Sequence, residues 1–148
     1  MPVRYVEQVE IRVPAAEVWV VLADVQGWRK WTPSIELVRR REQHRPFGLG
    51  SEAWVKQPRL AGSIWLVTTF EPERSFVWQT EFPGLRTTAG HHLHPQADGG
   101  TRVTLELRQS GLLAPLAGLA LGRLTRRYLA MEAAGLKSYC EGIRPIHT

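Results

Sequence analysis

The spacing of hydrophobic residues changes period along the chain. From Val3 to Val13 apolar and polar residues alternate, with Val9, Ile11 and Val13 on one face and Gln8, Glu10 and Arg12 on the other. A period of two predicts a half-buried strand. Pro14 stops it and suits a first helical position. From Ala15 the spacing turns helical: Val18, Leu22 and Val25 share one side, flanked by Trp19 and Val21, and Asp24 and Gly27 end the helix. Trp28-Arg29-Lys30-Trp31 predicts a second short helical turn, closed by Thr32-Pro33 because the residue before a proline resists helix.

Short strands follow, expected at Ile35–Arg41, Ser51–Gln57, Ser63–Glu71, Ser75–Phe82, Thr87–Gln96 and Thr101–Ser110. Turn residues separate them, among them Pro72-Glu73, Pro83-Gly84 and Asp98-Gly99-Gly100. Strands this close in sequence pair most simply as antiparallel hairpins. The last element is a long helix from about Pro115 to Glu141, with Leu121, Leu124, Tyr128, Met131, Gly135 and Tyr139 near one face and Arg123, Arg126, Arg127 and Lys137 on the other. No second helix matches its length, so its apolar stripe must pack on the sheet. The expectation is an α+β domain over residues 1–148: a seven-stranded antiparallel sheet curved around one long C-terminal helix, with two short helices after the first strand.

Hairpin parity separates the faces of the sheet. Three-residue loops at Pro72–Arg74 and Asp98–Gly100 gather Ile64, Leu66, Phe70, Phe76, Trp78, Leu93, Val103, Leu105 and Leu107 on one side, which must face the helix. A single bulge would flip a strand. His91 falls on the inward side, while His92 and His94 share the convex, solvent face. Gly135 and the run Ala130 to Ala134 make the long helix slim where it meets the sheet, which predicts a hollow there; close packing is the alternative.

Composition adds less. The 148 residues are 43% hydrophobic and 22% charged, as in an ordinary globular protein. The lone Cys140 and the lack of a secretory leader lead to the expectation of a reducing, cytoplasmic setting. The apolar stretch Leu112 to Leu121 is too short to span a bilayer. Net charge is +5, and only Lys30, Lys56 and Lys137 of the 19 basic residues are lysines. The basic clusters fall in no nucleic-acid motif, so no nucleic-acid partner is expected.

The segment Val9-Glu-Ile-Arg-Val-Pro-Ala-Ala-Glu-Val-Trp19, followed by Asp24 and Trp28-Arg-Lys-Trp31-Thr-Pro33, resembles the opening of the START-like, or SRPBCC, superfamily. Phe70-Glu-Pro72, Trp78, Gly99-Gly-Thr101-Arg-Val103-Thr-Leu105 and the closing Tyr128 to Lys137 helix extend the resemblance over nearly the whole chain. It is nearest to the bacterial polyketide cyclase/dehydrase and lipid-transport group. The resemblance implies a helix-grip fold with a deep cavity between sheet and helix. It implies little about chemistry, since such folds carry ligand transport, hormone reception and cyclisation alike.

Few residues look chemical. His92 and His94 would share a strand face, but no carboxylate or cysteine completes a metal site, so neither metal nor cofactor is expected. No nucleophile elbow or phosphate loop is present. A cyclase or dehydratase would need only a positioned acid or base in a shaped cavity, and the candidates are His91, Glu7 and Tyr128. Glu7 shares the face of Val9 and Ile11, where burial would raise its pKa; a place in water at the sheet's end is the alternative. Trp28 and Trp31 are expected near the cavity mouth or capping the core. Trp54 and Trp65 on the outer face would suit a homodimer surface or docking on a partner. Leu112 to Leu121 beside Arg123, Arg126 and Arg127 would form either the plain entry to the helix or a lid that touches an anionic membrane.

The reading is a small hydrophobic ligand (lipid, isoprenoid or polyketide-like) bound in the cavity. Its contacts would be Leu66, Phe76, Trp78, His91, Leu93 and Leu105 from the sheet, Trp31 from the second short helix, and Tyr128, Met131 and Gly135 from the long one. A polyketide cyclase/dehydratase is the second reading, and a protein-interaction module the third.

Overall fold

Pro14, with ψ of 150°, ends β1 (Val3–Ile11) by turning the chain into α1 (Ala15–Ala23), whose Glu17 and Val18 amides donate to the Pro14 carbonyl. The structure, a computed structural model, describes residues 3–143. α1 buries Val18, Trp19, Val21 and Leu22. The second short helix is a 3-10 helix over Val25–Lys30, three residues earlier than expected, because Gly27 donates back to Asp24 and tightens the turn. Trp28 is then fixed by its indole N–H, which donates to the Leu22 carbonyl at 2.8 Å.

Six strands follow: β2 (Leu37–Arg40), β3 (Glu52–Lys56), β4 (Ser63–Glu71), β5 (Ser75–Phe82), β6 (Leu85–Pro95) and β7 (Thr101–Ser110). They form one antiparallel sheet with β1, in the order β1-β7-β6-β5-β4-β3-β2. Ile35 lies outside β2, held in a turn by its amide donating to Thr32. β6 begins at Leu85 because Pro83-Gly84 is a two-residue turn, with Gly84 at φ 78° supplying the left-handed conformation it needs. The β6–β7 loop runs from Gln96 to Gly100, closed by the Gln96 amide on the Gly100 carbonyl. Leu93 therefore opposes Val103 and His91 opposes Leu105, two residues from the expected register. A shift of two keeps every side chain on its face.

β4 breaks the expected parity. Glu71↔Ser75, Phe70↔Phe76 and Thr69↔Val77 pair as expected, but the register then slips so that Val67 opposes Trp78 and Leu66 opposes Gln79. The bulge at Thr68 turns the first half of the strand over. Trp65 and Val67 point inward; Ile64 and Leu66 point outward, and Leu66 is 38% exposed.

α2 (Ala114–Ile143) crosses the concave face. Its C-terminal end is clamped: Lys137 Nζ donates to the Glu10 carbonyl and pairs with Glu141, which accepts from the Arg12 amide. Leu136 and Cys140 are fully buried there. At Gly135 the helix backbone touches the chain after the 3-10 helix so closely that a Cβ would stand 1.9 Å from the Trp31 carbonyl oxygen. The slim part of α2 thus serves close packing, and the hollow expected at Gly135 lies elsewhere, toward the N-terminal half of the helix.

Candidate functional site

Leu121, Thr125, Tyr128, Leu129 and Glu132 recur every three or four residues, so one stripe of α2 presents them together. Opposite them, the inward residues of β5, β6 and β7 include Trp78, Thr80, Thr87, Ala89, His91, Leu105, Leu107 and Gln109. Between the two layers lies a cavity of about 290 Å³. Trp28, Ile35, Val55 and Trp65 close its sides, and Trp65 and Trp78 pack with ring centroids 5.8 Å apart. Ala61, Phe82 and Leu121 line the cavity yet are exposed, so the mouth opens between the β3–β4 loop, the β5–β6 turn and the first half of α2.

Four of the residues expected to bind ligand, Trp78, His91, Leu105 and Tyr128, line this cavity. The others are placed differently. Phe76 and Leu93 lie in the packed core, and Leu66 is on the outer face because of the bulge. Trp31 is buried against Trp28 and α2, and Trp28 belongs to the closed side of the cavity, not its mouth. Met131, half-buried, and Gly135 are not among the lining residues. Trp54 is on the outer face, 40% exposed, but Trp65, half-buried, points inward and packs on Trp78. Glu7 faces α2 beside Tyr5, Arg126 and Leu129 in a separate small recess.

The polar lining residues are mostly neutral hydroxyls and amides, Gln57, Ser63, Thr80, Thr87 and Thr125 among them. His91 Nδ1–H donates to the Phe76 carbonyl at 3.1 Å, which leaves the Nε2 lone pair without a hydrogen-bond partner among the described residues. Burial pushes the imidazole pKa down to about 3, against the raising effect of the Phe76 bond, so the ring is neutral. The Tyr128 hydroxyl donates to the Pro58 carbonyl and ties α2 to the β3–β4 loop. Its proton is already engaged, and its ring supplies cavity wall.

Two further groups were not anticipated. Glu132 is half-buried by surface area yet deeply enclosed by protein, because the surface it keeps faces the cavity. No hydrogen bond or ion pair within the described residues holds its carboxyl, and burial pushes its pKa up to about 8. Gln109 is 7% exposed; its Nε2 donates weakly to Thr87 Oγ1, and its Oε1 is buried with no partner among the described residues. The signal for Glu132 was present in the sequence, as a lone acid one turn beyond Tyr128 on the helix's apolar stripe. Gln109 carried no such mark.

His92 and His94 lie on the outer face, and among the described residues no three His, Cys, Asp or Glu side chains gather as a metal site would require. No described helix is long and apolar enough to cross a membrane.

Residues 2–141 match the family model described as polyketide cyclase/dehydrase and lipid transport. No curated protein matches the chain. Among solved structures, a START superfamily protein from Mycobacterium smegmatis superposes with a TM-score of 0.76 at 14% identity, covering 95% of this chain and 98% of its own. The Zhui aromatase/cyclase from Streptomyces sp. R1128 gives 0.77 at 18% identity, with 95% and 94% covered. A hypothetical protein from Helicobacter pylori gives 0.79 at 15% identity, with 95% and 88% covered. At these identities the likeness is one of fold: a START-like helix grip.

Proposed function

The chain belongs to the polyketide cyclase/dehydrase and lipid-transport family, and we propose that it binds a small hydrophobic ligand, of the lipid, isoprenoid or polyketide-like kind, between the sheet and α2. The cavity carries this reading. Protein interiors are close-packed and seldom keep voids much larger than a water, whereas this one is about 290 Å³, walled mostly by aromatic and aliphatic side chains. That is near the small end of ligand pockets, roughly 300–1,000 Å³. It favours a compact ring compound or short isoprenoid over a two-tailed lipid. Burying about 200 Å² of apolar ligand surface would contribute roughly 5 kcal/mol before the cost of association. The polar groups of the lining therefore decide how tightly and how selectively the ligand is held.

Native mass spectrometry of the purified protein tests the reading, with Ala89→Phe as the comparison because Ala89 lines the cavity between Trp78 and Leu107. A co-purified apolar adduct, lost in the folded Ala89→Phe variant, is the expected result. An adduct of equal abundance in both would remove the cavity as the binding site.

A cyclase/dehydratase activity is the second reading, favoured by an enclosed carboxyl facing an apolar cavity. In a dehydration, Glu132 would protonate a departing hydroxyl to release water, and its carboxylate would then take the α-proton as the double bond forms. Its pKa of about 8 suits that work near neutrality, whereas His91 at about 3 is too weak a base. Glu132→Gln should then abolish turnover of a β-hydroxy-ketone substrate while leaving its binding intact.

Entry of the ligand would involve contact with an anionic membrane. Leu112 is 94% and Leu119 86% exposed, Leu113 packs on Gly84 beside the mouth, and Arg123, Arg126 and Arg127 follow on the next turns of α2. Exposed leucines next to arginines suit such a surface. Co-flotation with phosphatidylglycerol vesicles, lost in a Leu112→Ser, Leu119→Ser double variant, is the expected result.

A further inference from the structure

The polar groups facing the cavity are unusual in sign. None of the lining residues is a lysine or arginine. The nearby arginines of α2 are exposed, and Arg126 lies over the Tyr5 ring, 5.2 Å from its centroid. The titratable residues that line the cavity are His91, Glu106, Tyr128 and Glu132. Glu106 is engaged on the outer face by Arg4 and Arg108, and the Tyr128 proton is committed to Pro58. Beside the neutral hydroxyls and amides of Gln57, Ser63, Thr80, Thr87 and Thr125, what remains is His91 Nε2, a bare acceptor; Gln109 Oε1, a buried acceptor without a partner among the described residues; and the unpaired Glu132 carboxyl.

An anionic headgroup would meet no cation there and would be desolvated beside an acid, which leaves a buried ion uncompensated. An ammonium would need Glu132 ionised among apolar walls, which the same desolvation opposes. A hydroxyl fits the set without moving charge: it donates to Gln109 or His91 and accepts from the carboxyl of Glu132. We infer that this cavity selects an uncharged, hydroxyl-bearing ring compound, a phenol or cyclic alcohol, held by Glu132 and Gln109 with His91 as a further acceptor, and that it rejects carboxylates such as free fatty acids. The inference rests on the cavity being a ligand site and names the class of ligand it takes.

Three probes with one skeleton separate the possibilities: 2-naphthol, 2-methylnaphthalene and 2-naphthoate, each titrated into the purified protein at pH 7 by equilibrium dialysis. Filling an otherwise unsatisfied buried acceptor is expected to make 2-naphthol bind roughly tenfold more tightly than 2-methylnaphthalene, with 2-naphthoate weaker than both. Glu132→Leu and Gln109→Leu should each bring 2-naphthol toward the 2-methylnaphthalene value, and Glu132→Gln, which keeps a donor and an acceptor, should preserve most of the preference. Naphthoate binding as tightly as naphthol, or naphthol no tighter than its methyl analogue, would overturn the selection for a hydroxyl while leaving the cavity as a ligand site. If none of the three binds to protein with a native circular dichroism spectrum, the cavity fails as a ligand site and the inference falls with it.

Discussion

The imidazole of His91 stacks on the ring of Phe76, centroids 4.1 Å apart and 13° from parallel, while its Nδ1–H donates to the backbone carbonyl of that same residue. The pair joins neighbouring strands at the inner end of the cavity, and it fixes both the ring's orientation and its tautomer.

Protonating His91 would place a charge in the core. Its folded pKa of about 3 lies below the ordinary 6.5, so between those values the unfolded chain binds the extra proton. Stability from this residue is complete above about pH 6.5 and is lost as pH falls toward 3. In an NMR titration, the His91 ring resonances should stay unshifted from pH 8 down to 5 while those of exposed histidines move. A midpoint near 6.5 would refute the enclosed, neutral ring.

Glu132 acts in the opposite sense. Its folded pKa of about 8 is above the ordinary 4.5, so the folded state holds the proton longer. Stability from this group is present below pH 4.5 and declines as pH rises toward 8. Together the two groups give a plateau from about pH 4.5 to 6.5 and a fall on either side. Glu132→Gln should stabilise the protein by about 1–3 kcal/mol at pH 8, a range discounted because the cavity can admit water. At pH 4.5 it should change little. Urea melts at the two pH values check this, and equal effects at both would contradict it.

Trp65 and Leu66, neighbours on a strand, take opposite sides of the sheet, and the bulge at Thr68 decides that Trp65 is the one facing inward. Trp65→Ala should cost about 2–4 kcal/mol by removing its packing on Trp78 and enlarging the cavity. Leu66→Thr should stay within roughly 0.5 kcal/mol, since it changes an outer position. Reversal of that order in thermal melts would mean that β4 lacks the bulge.

Gly135→Ala sets helix propensity against a collision. In an unobstructed helix alanine gains about 0.5–1 kcal/mol over glycine. Here the new methyl would meet the Trp31 carbonyl oxygen at 1.9 Å, and backbone cannot yield as a side chain does. A net loss of about 2 kcal/mol is expected from such overpacking. Gly142→Ala, where no heavy atom lies within 4 Å, is the control and should be neutral or slightly stabilising. A stabilised Gly135→Ala would show that α2 and the Trp31 loop do not touch.

Much of the fold was legible because its signals are local. Alternation marks each strand, Pro83-Gly84 and Asp98-Gly99-Gly100 mark turns, and the stripe ending near Tyr139 marks the long helix. The faces of β5, β6 and β7 followed from hairpin parity and survived a register shift of two. The face of β4 did not follow: Thr68 sits in an ordinary strand sequence, without the glycine or proline that would betray a bulge. Gly135 misled for a related reason, since a missing side chain can signal either a void or a close approach.

The sequence by itself determined the order of elements, the single antiparallel sheet, the helix that must cover it and the inward setting of Trp78 and His91, because hydrophobic periodicity and turn chemistry act between near neighbours. Only the tertiary structure decided where the hollow lies and what it can hold. Gln109 and Glu132 stand on different elements, and whether a carboxyl is solvated, paired or enclosed depends on chain folded over it from far away. Sequence arithmetic counts Glu132 as one negative charge; the enclosed side chain holds its proton at neutral pH, and that difference sets the chemistry of the cavity.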